Sequence, residues 1–165
     1  METSTFTTEA IWHLLEQVKD PEIPVISVVD LGIVRDVQSL SEEGFKVVIT
    51  PTYSGCPAMN IIEKDILTYL RGQGLQVEVE TVLFPAWTTD WISEKGRKNM
   101  EAYGIQPPVE RTVDKSFLTG GRKTVPCPNC GSKETQMVSQ FGSTACKSLY
   151  QCQDCREPFD YFKCI

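Results

Sequence analysis

Two Cys-x-x-Cys pairs near the C-terminus constrain the fold of this chain more than any other sequence feature. They are Cys127/Cys130, in CPNCG, and Cys152/Cys155, in CQDC, with residues 131–151 between them. Each Cys-x-x-Cys turn lets two thiolates converge on one ion. Two such turns supply four sulfurs in a tetrahedron, which is the ligand set of a closed structural zinc site.

A cysteine-rich tail of this size needs more than an apolar core to fold, because such small modules usually depend on metal or disulfides. We therefore predict a zinc ribbon β-hairpin over residues 122–165, held by structural Zn²⁺. An iron–sulfur cluster on the same thiolates and a reduced tail without metal remain as alternatives. Cys146 and Cys164 are left over in the tail, where apolar packing or a second sulfur site would account for them.

Hydrophobic periodicity predicts a small α+β domain over residues 1–105, with a mixed sheet and helices, and a linker over 106–121. The strand–helix–strand order within it predicts a crossover and therefore parallel pairing. The predicted elements are a helix capped by Thr8 and ended by Asp20-Pro21, a strand after Gly32, a strand over 45–51, a helix over 57–72 with an apolar stripe that includes Ile61, a strand over 76–83, and a helix over 89–103 capped by Thr88 or Thr89.

The charge of the chain is unevenly distributed. Residues 1–121 hold 10 Lys+Arg and 18 Asp+Glu, a net −8, whereas residues 122–165 hold 6 and 4, a net +2. The acidic body argues against binding of nucleic acid, which depends on neutralising phosphates. We assign the aromatic side chains of the tail to hairpin packing instead.

The sequence also bears on the cellular compartment. Apolar runs fall short of the roughly 20 residues that span a bilayer, and METSTFTTEA lacks the basic and apolar regions of a signal peptide. We therefore expect a cytoplasmic protein with no membrane partner. In that reducing compartment, seven cysteines favour metal or thiol chemistry over disulfides.

Cys56 lies in TPTYSGCPAMN, between a predicted strand and a predicted helix. Pro57 suits the first helical position, so the free N–H groups and the positive end of the helix dipole would lie beside the sulfur and favour thiolate. Gly55 leaves room for a ligand or partner to approach, although ordinary packing also explains a cysteine here. An enzyme that used Cys56 as its nucleophile would need a general base, most often a histidine. The only histidine, His13, is predicted to be an ordinary surface residue. We therefore do not predict an enzyme.

Two segments carry a resemblance to a known family. DPEIPVISVVDLGIVRDV (20–37) and TPTYSGCP (50–57) resemble the metal–sulfur cluster biosynthetic domain of iron–sulfur assembly factors, over about residues 8–105. Together with WTTDWISEKGRKNMEAYGIQPP (87–108) and the four-cysteine tail, the chain resembles the phenylacetate-degradation D (PaaD) family. That family supplies the D component of the ring-1,2-phenylacetyl-CoA epoxidase system.

The resemblance implies an accessory, non-catalytic protein in aerobic phenylacetate catabolism. It would assist iron or iron–sulfur cluster assembly in the di-iron oxygenase or its reductase, with those subunits and the iron–sulfur assembly machinery as partners. The resemblance assigns the transfer thiol to Cys56, supported by Asp30, Thr50 and Thr52. Because a stable cluster normally takes four thiolates, iron or a cluster at Cys56 is expected to be transient.

Two other functions compete with this hypothesis. A structural or interaction subunit of the epoxidase complex would have no metal-transfer role, and Trp87, Trp91 and Tyr103 would anchor its interface. A nucleic-acid-binding ribbon would use the aromatic and basic side chains of the tail, although the acidic body disfavours it.

Overall fold

The computed structural model describes residues 6–42, 44–109 and 124–163, and the chain divides into two compact units, Met1–Gly96 and Arg97–Ile165. Helices and two small sheets make up the fold, which confirms the predicted α+β class. The elements are α1 (Thr8–Leu15), β1 (Val34–Ser39), β2 (Gly44–Ile49), α2 (Ala58–Gly72), β3 (Gln76–Thr81), α3 (Glu94–Ala102), β4 (Ile105–Gln106), β5 (Thr135–Ser139), β6 (Lys147–Cys152) and β7 (Pro158–Phe162).

The sheet of the first unit has the strand order β1-β2-β3. The β1 and β2 strands pair antiparallel, whereas β2 and β3 pair parallel, as the crossover predicts. Val47 of β2 lies opposite Val37 on one side and Val79 on the other. Parallel pairing also brings the carboxyl ends of β2 and β3 to the same edge of the sheet.

The apolar stripe of α2 is narrower than predicted. Its buried residues recur every four positions, at Ala58, Ile62, Ile66 and Leu70. The side chain of Ile61 is 50% exposed, so its predicted place in the stripe is wrong. The reason is geometric, because residues spaced by four form one row on a helix and Ile61 lies beside that row.

The predicted limits of the first helix are also wrong. Thr7, rather than Thr8, is the cap, and its side-chain oxygen accepts a hydrogen bond from a first-turn N–H at 3.2 Å. The helix ends at Leu15, well before Asp20. The N–H of Val18 donates to the carbonyl of Leu15 at 3.1 Å. This hydrogen bond joins residues three apart, as in a 3₁₀ turn, rather than four apart as in an α-helix.

The helix predicted over 89–103 is two elements. A 3₁₀ turn covers Thr89–Trp91, capped as expected by Thr88, and α3 starts only at Glu94. The backbone at Ile92, between them, is extended. The N–H of Ser93 donates to the carbonyl of Asp30 at 2.8 Å, so a tertiary hydrogen bond replaces a helical one and breaks the run.

The sheet of the second unit has the order β4-β7-β6-β5, antiparallel except for the parallel β4–β7 pair. The Tyr150 ring lies 5.8 Å from that of Phe159 and 5.7 Å from that of Tyr161. Lys147 is buried, with its ammonium 4.0 Å from a carboxylate oxygen of Asp160. These four side chains therefore serve the hairpin core, which argues against the nucleic-acid hypothesis. Phe141, at 60% exposed, departs from the predicted hairpin packing. The buried core contains Val125, Cys127, Tyr150, Cys152, Phe159 and Tyr161.

The predicted domain limits stay predictions. Strand β4 lies at the predicted start of the linker and joins the sheet of the second unit, with Ile105 opposite Asp160. Residues 110–121 of the predicted linker and Cys164 lie outside the described residues. Within the described ranges, none of the helices has the length and apolar character needed to cross a membrane.

Candidate functional site

The four thiols of the two Cys-x-x-Cys turns converge on one point. Their sulfur atoms lie within 4.8 Å of one another. The Sγ atoms of Cys127 and Cys155 are 3.7 Å apart, and those of Cys130 and Cys152 are 3.6 Å apart. A tetrahedron with Zn–S bonds of about 2.3 Å has sulfur–sulfur edges of about 3.8 Å. The site therefore fits a single structural Zn²⁺ with all four positions filled by protein, whereas a four-iron cluster would need wider spacing.

The two turns share one backbone design. The N–H of Cys127 donates to the carbonyl of Ser132 at 2.8 Å, and the N–H of Cys152 donates to the carbonyl of Glu157 at 3.1 Å, five residues on in both cases. The residue after the second cysteine is left-handed in each turn. Gly131 has φ +75°, as its position predicts, but Arg156 occupies the equivalent place at φ +67°. The sequence gives no sign of that second left-handed residue, because arginine seldom adopts this conformation.

The surroundings of the sulfurs set how many protons zinc must displace. The backbone N–H of Cys155 lowers the pKa of the Cys152 thiol to about 7. The N–H of Asp154 also lowers this pKa, whereas burial raises it. The N–H of Glu157 acts in the same direction on Cys155, but burial and the neighbouring thiols raise the pKa of Cys155 to about 12. The ribbon without metal therefore keeps protons at neutral pH, and zinc binding releases them.

Zinc affinity is accordingly expected to fall as pH falls, because zinc binds thiolates and must displace the protons that the metal-free thiols hold. Each released proton lowers the apparent affinity roughly tenfold per pH unit. Competition with a zinc chelator from pH 8 to pH 5.5 measures the slope, and an affinity that does not change over this range would contradict the prediction.

Cys56 lies on the loop between β2 and α2, and its side chain is half-buried. Its N–H donates to the carbonyl of Tyr53 at 3.2 Å, and its carbonyl accepts from the N–H of Met59 at 3.2 Å. Pro57 has helical φ −68° and is the N-cap of α2, whose first residue is Ala58, so the helix starts one residue later than predicted. At Gly55, with φ +80°, an added Cβ would meet no atom within 4 Å apart from its chain neighbours, so the backbone next to Cys56 faces open space.

The predicted supporting residues differ in their surroundings. Asp30 is buried, and its carboxylate accepts hydrogen bonds from Ser93 Oγ at 2.6 Å and Ser27 Oγ at 3.0 Å. These contacts favour a structural role for Asp30, and its support of the thiol stays a prediction. Thr50 is buried with its Oγ1 unpaired among the described residues, and Thr52 is half-buried.

The segment after β3 contacts residues 30–32, which we call the Asp-Leu-Gly loop. The indole N–H of Trp87 donates to the carbonyl of Leu31 at 3.0 Å, and the ring is buried. Trp91 is half-buried with the guanidinium of Arg35 3.4 Å from its ring centroid. The two tryptophans therefore pack within the unit rather than anchor an interface, and Tyr103, at 55% exposed, is the one predicted anchor left available.

Two smaller predictions concern side chains outside these sites. The side chain of His13 is 81% exposed, which confirms its predicted position on the surface. Cys146 is buried, with its sulfur 3.0 Å from the hydroxyl of Thr144. Cys146 does not belong to the group of four thiols.

Comparison with known protein families divides the chain into two matched regions. Residues 8–84 match the family described as "Iron-sulfur cluster assembly protein", and residues 111–163 match the "PaaD zinc beta ribbon domain". Cys56 falls within the first match and the four clustered thiols within the second.

Individual relatives agree with this division. The chain is 47% identical over 156 residues to the D component of the "Putative 1,2-phenylacetyl-CoA epoxidase" of Escherichia coli, covering 94% of this chain and 92% of that protein. It is 34% identical over 91 residues to "Fe-S protein maturation auxiliary factor" of Porphyromonas gingivalis, covering 54% of this chain and 86% of that one. Among solved structures, the crystal structure of "Domain of Unknown Function DUF59 from Bacillus anthracis" matches with a TM-score of 0.53 and 27% identity, covering 56% of this chain and 90% of that one.

Proposed function

Because this chain belongs to the PaaD family, which includes the D component of the Escherichia coli epoxidase, we propose that it is a maturation factor of a phenylacetyl-CoA epoxidase system. It assists iron or iron–sulfur cluster assembly in the oxygenase or its reductase, and it does not turn over substrate itself. Its expected compartment is the cytoplasm, where reducing conditions keep its thiols reduced.

One observation carries the proposal: a half-buried thiol, preceded by a glycine that faces open space, lies in the region that matches iron–sulfur assembly proteins. Cys56 is the only cysteine in residues 1–126. Since one thiolate holds a cluster only weakly, the remaining ligands would come from the donor or the client. A site of this kind passes its cargo on, in contrast to the closed ribbon site.

The test is Cys56→Ala, produced together with the oxygenase and reductase components. We expect the iron content of the client component to fall to the level found without this chain, while zinc per chain and thermal stability stay unchanged. Cys146→Ala is the matched control, because it removes a thiol outside the loop. Normal iron loading of both components with Cys56→Ala would refute the proposal.

A second candidate function, an interaction subunit with no metal transfer, is favoured by exposed apolar side chains on the ribbon. Met137 is 51%, Val138 59% and Phe141 60% exposed, on or just after edge strand β5. An interaction subunit would co-purify with active oxygenase in a fixed ratio. Oxygenase that runs at full rate after this chain has been removed would exclude this candidate.

A further inference from the structure

One edge of the first sheet gathers the candidate thiol and a second, independent feature. Ile49 at the end of β2 pairs with Thr81 at the end of β3, and the N–H of Val82 donates to the carbonyl of Ile49 at 2.9 Å. Segments 50–62 and 81–89 therefore leave the sheet at the same edge. The first of these segments carries Cys56 and the first turn of α2.

Neither segment carries a charged side chain, although residues 1–121 hold 18 acidic and 10 basic residues. Large apolar side chains are exposed on both segments. Ile61 is 50%, Leu83 64% and Phe84 89% exposed, and we call these three residues the thiol-edge patch. Uncharged composition with exposed apolar and aromatic side chains is typical of the centre of a protein–protein interface.

Leu83 and Phe84 of the patch lie on a chain segment anchored at both ends. Val82 is held to β2 by its backbone hydrogen bond, and the buried indole of Trp87 is held to the carbonyl of Leu31. Only residues 83–86 lie between these anchors, and all four are exposed. Because the backbone is already held, binding there loses little conformational entropy.

We propose that the thiol-edge patch is the docking surface for the client protein that receives iron or a cluster, which rests on the proposed function. The partner presents an apolar, uncharged centre to Leu83 and Phe84. Basic side chains surround that centre and face the acidic remainder of the domain. A second copy of this chain would carry the same net charge of −6 and would repel the acidic remainder of the domain, so the charges disfavour self-association.

The proposal is tested by the affinity of the purified, zinc-loaded chain for the metal-free oxygenase component and for the metal-free reductase component. Leu83→Ser/Phe84→Ser is expected to weaken binding to the client at least about tenfold, because two exposed side chains at an interface centre are removed. Leu40→Ser is the matched control. Leu40 is 54% exposed and follows β1, at the opposite end of β2, and its substitution is expected to leave binding within about twofold.

A second readout is the alkylation of Cys56 by a maleimide. The wild-type client complex is expected to protect this thiol, and the double variant at the same client concentration is expected to restore the free rate. Because the substituted side chains are exposed, thermal stability and zinc content should match the wild type in both variants.

Three results would overturn the docking proposal. One is client binding that Leu83→Ser/Phe84→Ser leaves unchanged, and another is no binding of the wild type to either component. The third is a wild-type dimer in light scattering that the double variant converts to monomer, since a second copy would then be the occupant. If Cys56→Ala abolishes client maturation while one of these three results is found, the proposed function stands and only the docking proposal fails. The failure of the docking proposal can therefore be distinguished from the failure of the proposed function.

Discussion

Cys152→Ser is expected to leave the ribbon without zinc and to unfold the sheet that contains β5 to β7. Cys152 and Cys127 are both zinc ligands and members of the small buried core, with exposures of 0% and 2%. Binding of structural zinc contributes about 10–16 kcal/mol in comparable small modules. The few remaining apolar side chains of this core cannot replace that contribution. Losing one ligand therefore removes both the metal and the packing around it.

Zinc per chain, measured by elemental analysis, and protease resistance of residues 124–163 are the two measurements. Cys146→Ala is the control, because Cys146 is buried in the same unit but is not one of the four converging thiols. It should retain one zinc and a resistant ribbon. The first unit should stay folded in Cys152→Ser, since its own core holds it. A Cys152→Ser protein with full zinc content would contradict the assignment.

Gly32→Ala is expected to destabilise the first unit by roughly 2–5 kcal/mol. Gly32 has φ +77°, which costs an L-residue about 1–2 kcal/mol. An added Cβ would also lie 2.6 Å from both the Cβ and the carbonyl oxygen of Trp91, and relieving such an overlap costs about 1–3 kcal/mol. The clash is with backbone as well as side chain, so a rotamer change cannot remove it.

Gly55→Ala is a control matched in backbone conformation. Gly55 has φ +80°, but an added Cβ there would have no neighbour within 4 Å. Only the conformational cost of about 1–2 kcal/mol is expected. Urea unfolding of the wild type and both variants gives the loss in free energy of unfolding for each substitution. The difference between the two losses measures the cost of the close approach of Trp91 to the Asp-Leu-Gly loop. Equal losses in the two variants would show that this approach is absent.

Local patterns in the sequence were sufficient for several features. The Cys-x-x-Cys spacing predicts four converging thiols, because each turn fixes two sulfurs by short-range geometry alone. Pro57 predicts where α2 starts, since proline suits a helix start and lacks an N–H. The parallel pairing of β2 and β3 follows from the helix between them, because a strand–helix–strand crossover within one sheet joins parallel strands.

Other features depended on contacts between residues far apart in the chain. Ser93 bonds to Asp30, and that contact divides a run that reads as one helix. Helical periodicity also places Ile61 among the buried residues, although the neighbours of α2 cover only the row that starts at Ala58. The burial of Trp87 depends on a bond to Leu31, 56 residues away, which no local pattern indicates.

The sequence by itself therefore determined the metal-binding tail, the order of the main strands and helices, and the position of Cys56 before a helix. These depend on spacings of a few residues, where backbone geometry leaves few choices. Only the tertiary structure decided that Asp30 serves a hydrogen-bond network and that Leu83 and Phe84 are exposed at the edge from which the Cys56 loop leaves the sheet. Burial and partnership are properties of the packed chain, since they depend on which distant segments cover a side chain.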